Sequence, residues 1–233
     1  MKTAVLVDGA FFIIKARRIY GMLTPRSLVS NLLRAVRRHM RGKNNDWHSD
    51  LYRIFFYDCP PLDKKMEHPL TQKQIDYGKS TRATWRRELH DVLRTSPRTA
   101  LRLGVVDDVN CSWVIDSDKL KKLCKGKIHL TDLAENDITL NSKQKGVDMR
   151  IGLDIASLAY KRLVDRIVLI SGDSDFVPAA KMARREGIEF VLDSMWAPIR
   201  PDLQEHIDVL YSCFPRPLAH KPKDSAESGQ SSG

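Results

Sequence analysis

Apolar residues along this chain fall into two alternating patterns. Short, nearly unbroken apolar runs at 3–7, 51–57, 100–106, 166–170 and 188–192 read as strands covered on both faces. Between them, apolar positions recur at helical spacing over 11–20, 25–41, 81–93, 147–163 and 176–185, as in helices that bury one side. The segment 25–41 is the clearest. Leu28, Leu32, Val36 and Met40 fall on one side, Thr24 is placed to cap the helix, and Pro25 stands in its first turn. Gly187 marks the stop of the helix over 176–185. Strands alternating with helices imply right-handed crossovers, and so a three-layer α/β/α fold around a mostly parallel sheet. Two stretches break the rhythm. The segment 60–79 carries prolines and lysines without periodicity and reads as a surface loop, and 107–142 mixes a short hairpin with a basic helix. The domain is therefore expected to span 1–214, with a basic, partly irregular insertion at 60–142. The Pro-, Lys-, Ser- and Gly-rich end, 215–233, reads as a disordered tail.

Composition narrows the partners. The 42% hydrophobic and 29% charged contents suit a soluble globular protein. No apolar run approaches the roughly 18 residues that a membrane span needs, and Asp8 interrupts the first apolar stretch before it can serve as a secretory leader. A cytoplasmic protein without membrane contact is expected. Cys59, Cys111, Cys124 and Cys213 form no C-x-x-C pair, which fits free structural thiols in a reducing compartment. The net charge of +10 and the pI near 9.5 favour a polyanionic partner. The positive charge is arranged in stripes. Arg34, Arg37, Arg38 and Arg41 lie opposite the apolar side of helix 25–41, while Arg82, Arg86 and His90 line the helix at 81–93. Lys119, Lys121, Lys122, Lys125 and Lys127 crowd one short stretch, and Lys145 follows. A solvated face is the ordinary alternative for any one stripe; together they read as phosphate contacts, to RNA first and single-stranded DNA second. A homodimer is compatible with this reading.

The candidate chemistry lies at the strand ends. Strand 3–7 runs into Asp8-Gly9, strand 51–57 into Asp58, and strand 166–170 into Ser171-Gly172-Asp173-Ser174-Asp175. C-terminal strand ends of a parallel sheet share one edge, so these groups can share a site. Asp148 opens the helix at 147–163 in line with Ile151, Ile155 and Leu158, which sets it at the end of the stripe that packs on the sheet; Asp154 flanks that stripe. Carboxylates gathered without basic neighbours repel, and a divalent cation is the usual remedy. Three or four aspartates without His or Cys suit Mg2+ or Mn2+ better than zinc. A cation held so can activate water and neutralise a phosphoryl group, which is phosphodiester hydrolysis. Each residue alone has an ordinary alternative: Asp175 or Ser174 as a helix cap, Asp8 as cap of the first helix, Asp148 as a first-turn aspartate. No P-loop, nucleophile elbow or H-E-x-x-H helix is present, and the seven histidines show no ligand spacing.

Val7-Asp8-Gly9, Lys145-Gly146-Val147-Asp148 with Asp154 six residues on, and Ser171-Gly172-Asp173-Ser174-Asp175-Phe176 together resemble the NYN domain family, specifically its LabA-like (DUF88) branch among the PIN-like nucleases. The resemblance implies a parallel-sheet α/β/α fold and a metal-dependent ribonuclease. It implies Asp8, Asp148, Asp173 and Asp175 as metal ligands and catalytic residues, with Asp154 and Ser171 in support; Ser174 and Asp58 join the supporting residues from their place at the strand ends. One position departs: many family members carry asparagine two residues after the first glycine, where this chain has Phe11. Two other functions stay open. One is an RNA-binding module that keeps the basic surface and uses the acidic turn structurally. The other is a haloacid-dehalogenase-like phosphohydrolase, which would need an acid at position 10, where Ala10 stands.

Overall fold

The structure, a computed structural model, describes residues 1–41 and 49–217. His48, His220 and most of the expected tail lie outside the described residues. In chain order the elements begin with β1 (Lys2–Asp8), α1 (Gly9–Tyr20), α2 (Pro25–Met40) and β2 (Asp50–Asp58). A hairpin, β3 (Lys65–Glu67) and β4 (Gln74–Asp76), precedes α3 (Thr81–Thr95) and β5 (Thr99–Leu103). Next come β6 (Val105–Val106), β7 (Ser112–Ile115), α4 (Ser117–Cys124), β8 (Ile138–Asn141) and β9 (Gln144–Lys145). The chain then forms α5 (Val147–Tyr160), β10 (Arg166–Ile170), α6 (Val177–Arg185), β11 (Glu189–Asp193), α7 (Pro201–Gln204) and β12 (Val209–Leu210).

Six strands make one parallel sheet in the order β12-β11-β10-β1-β2-β5. Alternation along each strand splits its side chains between two cores. Val5, Val7, Ile54, Phe56, Val168, Ile170 and Val191 face α1, α2 and α3. Ala4, Leu6, Phe55, Tyr57, Ile167, Leu169, Phe190 and Leu192 face α5, α6 and α7. Both faces are covered, which is why these strands read as continuous apolar runs. α2 forms as expected. Thr24 Oγ1 accepts the amide of Ser27 at 3.3 Å, and Leu28, Leu32, Val36 and Met40 are buried.

Two expectations need correction. The segment 60–79 is more than a loop: it holds the β3–β4 hairpin, whose three-residue strands are too short to carry an alternation legible in sequence. The strand expected at 100–106 stops at Leu103, because the chain turns out of the sheet at Gly104. A Cβ there would sit 2.7 Å from the carbonyl oxygen of Lys145 and 2.9 Å from the sulfur of Cys59. Beyond this close approach β6 pairs antiparallel with β9, immediately before α5. The insertion is thus tied back to the sheet edge where Asp148 begins its helix.

Candidate active site

Two of the expected strand ends, at Asp8 and at Ser171–Asp175, meet at the C-terminal edge of β1 and β10. Asp8 caps α1, its Oδ1 accepting the amide of Phe11 at 3.1 Å. Its Oδ2 accepts the hydroxyl of Ser171, at 3.3 Å, from the neighbouring strand. The same hydroxyl oxygen accepts the amide of Asp173 at 3.3 Å, and Asp173 Oδ1 accepts the amide of Asp175 at 3.0 Å. Ser171, fully buried, therefore locks the two halves of the edge together. Ser174 opens the short 3₁₀ turn that Asp173 caps. Asp148 stands in the first turn of α5, exposed, while Ile151, Ile155 and Leu158 behind it are buried.

These carboxylates feel one another. Burial pushes the Asp8 carboxyl above its ordinary range and the Asp148 charge adds to the rise, against the amide of Phe11 and the hydroxyl of Ser171. Asp148, though exposed at its surface, is raised as well, by partial desolvation first and then by the charges of Asp173 and Asp175. The cluster is held together against its own repulsion, and its donor set is all oxygen. Asp8, Asp148, Asp173 and Asp175 thus fit a hard divalent cation that keeps much of its water shell. They are more openly spaced than a closed cage. Among the described residues, the one trio of His, Cys or acidic groups with ligand atoms all within 4.8 Å is His39, Asp193 and Cys213.

Other expected site residues lie elsewhere. Asp58 ends β2 as anticipated but is fully buried and neutralised, gripped by the Arg86 guanidinium through both oxygens and by His90 Nε2 at 2.8 Å. Burial alone would raise its carboxyl; the bonds from His90 and Arg86 outweigh that and hold it low. Arg86 and His90 are therefore core residues and not part of an exposed basic stripe, a correction that follows from Asp58 needing a partner. Arg82 remains exposed, on the rim of a cavity of about 200 Å³ lined also by Pro60, Tyr77 and Leu140. Asp154 accepts the Tyr57 hydroxyl at 2.8 Å and pairs with Arg102 at 3.3 Å, which ties α5 to the β2–β5 side of the sheet. Lys145 Nζ lies 2.5 Å from Asp107 Oδ2, a paired cation. Arg34, Arg37, Arg38 and Arg41 are exposed on or just beyond α2, and Arg38 donates to the carbonyl of Cys213 at 2.7 Å.

Sequence reasoning passed over Asp193, although it ends β11 as Asp8 ends β1, and that was the available signal. Its oxygens accept the amides of Met195 at 2.9 Å and Cys213 at 3.0 Å, and His39 Nε2 lies 2.9 Å away. It also left Phe11 without a role. The ring of Phe11 lies over the acidic turn, so that a Cβ on Gly172 would come within 2.8 Å of it. Position 11 serves Asp8 through its backbone amide, and its side chain roofs the Ser171–Asp175 turn.

No curated protein matches the chain. A crystal structure of a protein of unknown function from Vibrio parahaemolyticus is similar at 15% identity and a TM-score of 0.45, over 91% of this chain and 94% of the other. Both later acidic motifs, Lys145–Asp148 and Ser171–Phe176, fall inside residues 113–210, the segment that matches the family model of the NYN domain.

Proposed function

We propose that the protein is a metal-dependent ribonuclease that hydrolyses RNA phosphodiester bonds at the edge formed by Asp8, Asp148, Asp173 and Asp175. The observation that carries this reading is that the Ser171 hydroxyl joins Asp8 to the Asp173–Asp175 turn at the edge of the sheet, in a setting of oxygen donors. The NYN-domain match over 113–210 supports it, since the family is one of PIN-like nucleases. We assign the finer LabA-like branch on the three motifs, and a catalytic unit of 1–214. Asp8, Asp148, Asp173 and Asp175 would hold Mg2+ or Mn2+, which would supply an activated water and charge neutralisation for the phosphoryl group. The protein's own part is positioning. Asp8 is pinned by the Phe11 amide and the Ser171 hydroxyl, and Asp173 by the amide of Asp175. Arginines of α2, with Arg82, would hold phosphates away from the acidic edge.

Replacing Asp173 with Asn keeps shape and removes a charge. Cleavage of a labelled RNA by Asp173→Asn is expected to fall about 100-fold or more, the scale on which one group stabilising the transition state acts, with an unchanged circular dichroism spectrum. Wild-type rates in the variant, or a wild-type rate unaffected by chelator, would remove the acidic edge from catalysis. A second reading, an RNA-binding module without catalysis, draws on the open spacing of the carboxylates. Tight RNA binding with no cleavage in either metal would favour it.

A further inference from the structure

We propose that Trp196, flanked by Arg216, is a nucleobase-stacking site beside the acidic edge. The inference rests on the nucleic-acid reading above, yet its geometry is independent of the carboxylates. β11 pairs with β10 so that Asp193 lies opposite Ile170. The residues that follow, Ser194 to Trp196, therefore emerge next to the Ser171–Asp175 turn.

Two successive residues there adopt left-handed backbone angles, Met195 at φ +48° and Trp196 at φ +65°. Bulky residues seldom do so, and surrounding structure must hold them. The Asp193 carboxylate fixes the amide of Met195, the amide of Ala197 closes the turn on Ser194 O at 2.8 Å, and the Ser212 hydroxyl accepts the amide of Trp196 at 3.2 Å. The indole Nε1 donates to the carbonyl of Phe214 at 2.7 Å, which fixes the ring plane. The His39–Asp193–Cys213 cluster is thus satisfied by hydrogen bonds and acts as the scaffold of this turn. Burial accounts for Met195, which is fully enclosed, but not for Trp196, which stays 42% exposed. A rigid indole with its polar atom satisfied, a guanidinium over its ring and part of its surface still open is a stacking platform.

Cations complete the site. The Arg216 guanidinium stacks 4.5 Å from the indole centroid, and Arg38 on α2 donates to the Cys213 carbonyl in the adjoining strip, residues 211–216, that follows β12. Tyr211, 53% exposed, lies on that strip with its ring 5.8 Å from His39. Aromatic rings alternating with arginines suit a chain of phosphates and unpaired bases, because every base offers a π-face and duplex stacking would hide it. The occupant is therefore an unpaired nucleotide next to the scissile bond.

The test measures binding of a short fluorescent oligouridylate in chelator, where cleavage plays no part. Trp196→Ala is expected to weaken binding about tenfold and Trp196→Phe much less, in keeping with the worth of one stacked base. A duplex of equal length should bind both variants like wild type. Tryptophan emission should be quenched by the oligonucleotide in wild type and markedly less in Trp196→Phe, which guards against a misfolded alanine variant. Equal affinities with equal quenching would overturn the platform, as would absence of oligouridylate binding by wild type. Loss of cleavage in Asp173→Asn with unaltered Trp196-dependent binding separates the catalytic reading from this one.

Discussion

Asp58 and Arg86 illustrate how a residue's surroundings decide its role. A carboxylate at a strand end belongs to an active site only if it remains available, and Asp58 is fully enclosed with a guanidinium and an imidazole around it. Removing one partner of such a pair leaves a buried charge uncompensated. Arg86→Ala is expected to lose about 3–5 kcal/mol of stability, read from denaturant unfolding. The depressed Asp58 carboxyl also sets a pH dependence. Its stabilising contribution is complete above its unfolded pKa, near 4, and disappears as pH falls through the lower folded value. The denaturant midpoint should therefore drop in that acid range, with a shallower slope in Arg86→Ala. An identical slope in the two proteins would show that Asp58 is not the group responsible.

At the scale of elements, α2 and the β6–β9 pair position what the sheet cannot. α2 buries its apolar side and leaves Arg34 and Arg37 in solvent, while Arg38 also bonds the backbone at Cys213. Replacing Arg34 and Arg37 by Gln is thus the clean test of the stripe. RNA affinity should fall and its slope against log salt flatten by about one to two counterions, with thermal stability nearly unchanged. A slope equal to wild type marks the face as merely solvated. The β6–β9 pairing acts on the acidic edge instead. It brings the chain back from the insertion at Gly104 and Lys145, so that α5 starts with Asp148 at the edge.

For the whole molecule, the acidic edge is a repulsive cluster that a cation would relieve. Mg2+ or Mn2+ should raise the thermal midpoint of wild type, since a ligand at 100 times its Kd stabilises by about 2.7 kcal/mol. The Asp8→Asn, Asp148→Asn double variant should show no such shift, and without metal it should be at least as stable as wild type because the raised carboxyls are gone. Equal shifts in both would move the ion to another place on the molecule. Among the described residues no helix is long and apolar enough to cross a membrane.

The sequence by itself determined the layers and the edge. Alternation of unbroken apolar runs with helical periodicity specifies a sheet covered on both faces, and strand-terminal aspartates must then gather where parallel strands end. That reasoning reached Asp8, Ser171 and Asp173 because their placement depends on local pattern and on the direction of the strands. What only the tertiary structure decided is which polar groups find partners. Asp58 meets Arg86 and His90 from α3, Lys145 meets Asp107, and Asp154 meets Tyr57, all through contacts between segments distant in sequence. The same holds for the left-handed turn at Met195 and Trp196, where two bulky residues take positive φ and the local bonds to Asp193 and Ser194 are only part of what holds them. Hydrogen bonds from the Trp196 amide and indole to the Ser212 hydroxyl and the Phe214 carbonyl hold that turn, and they exist only once the turn after β11 and the segment beyond β12 have come together.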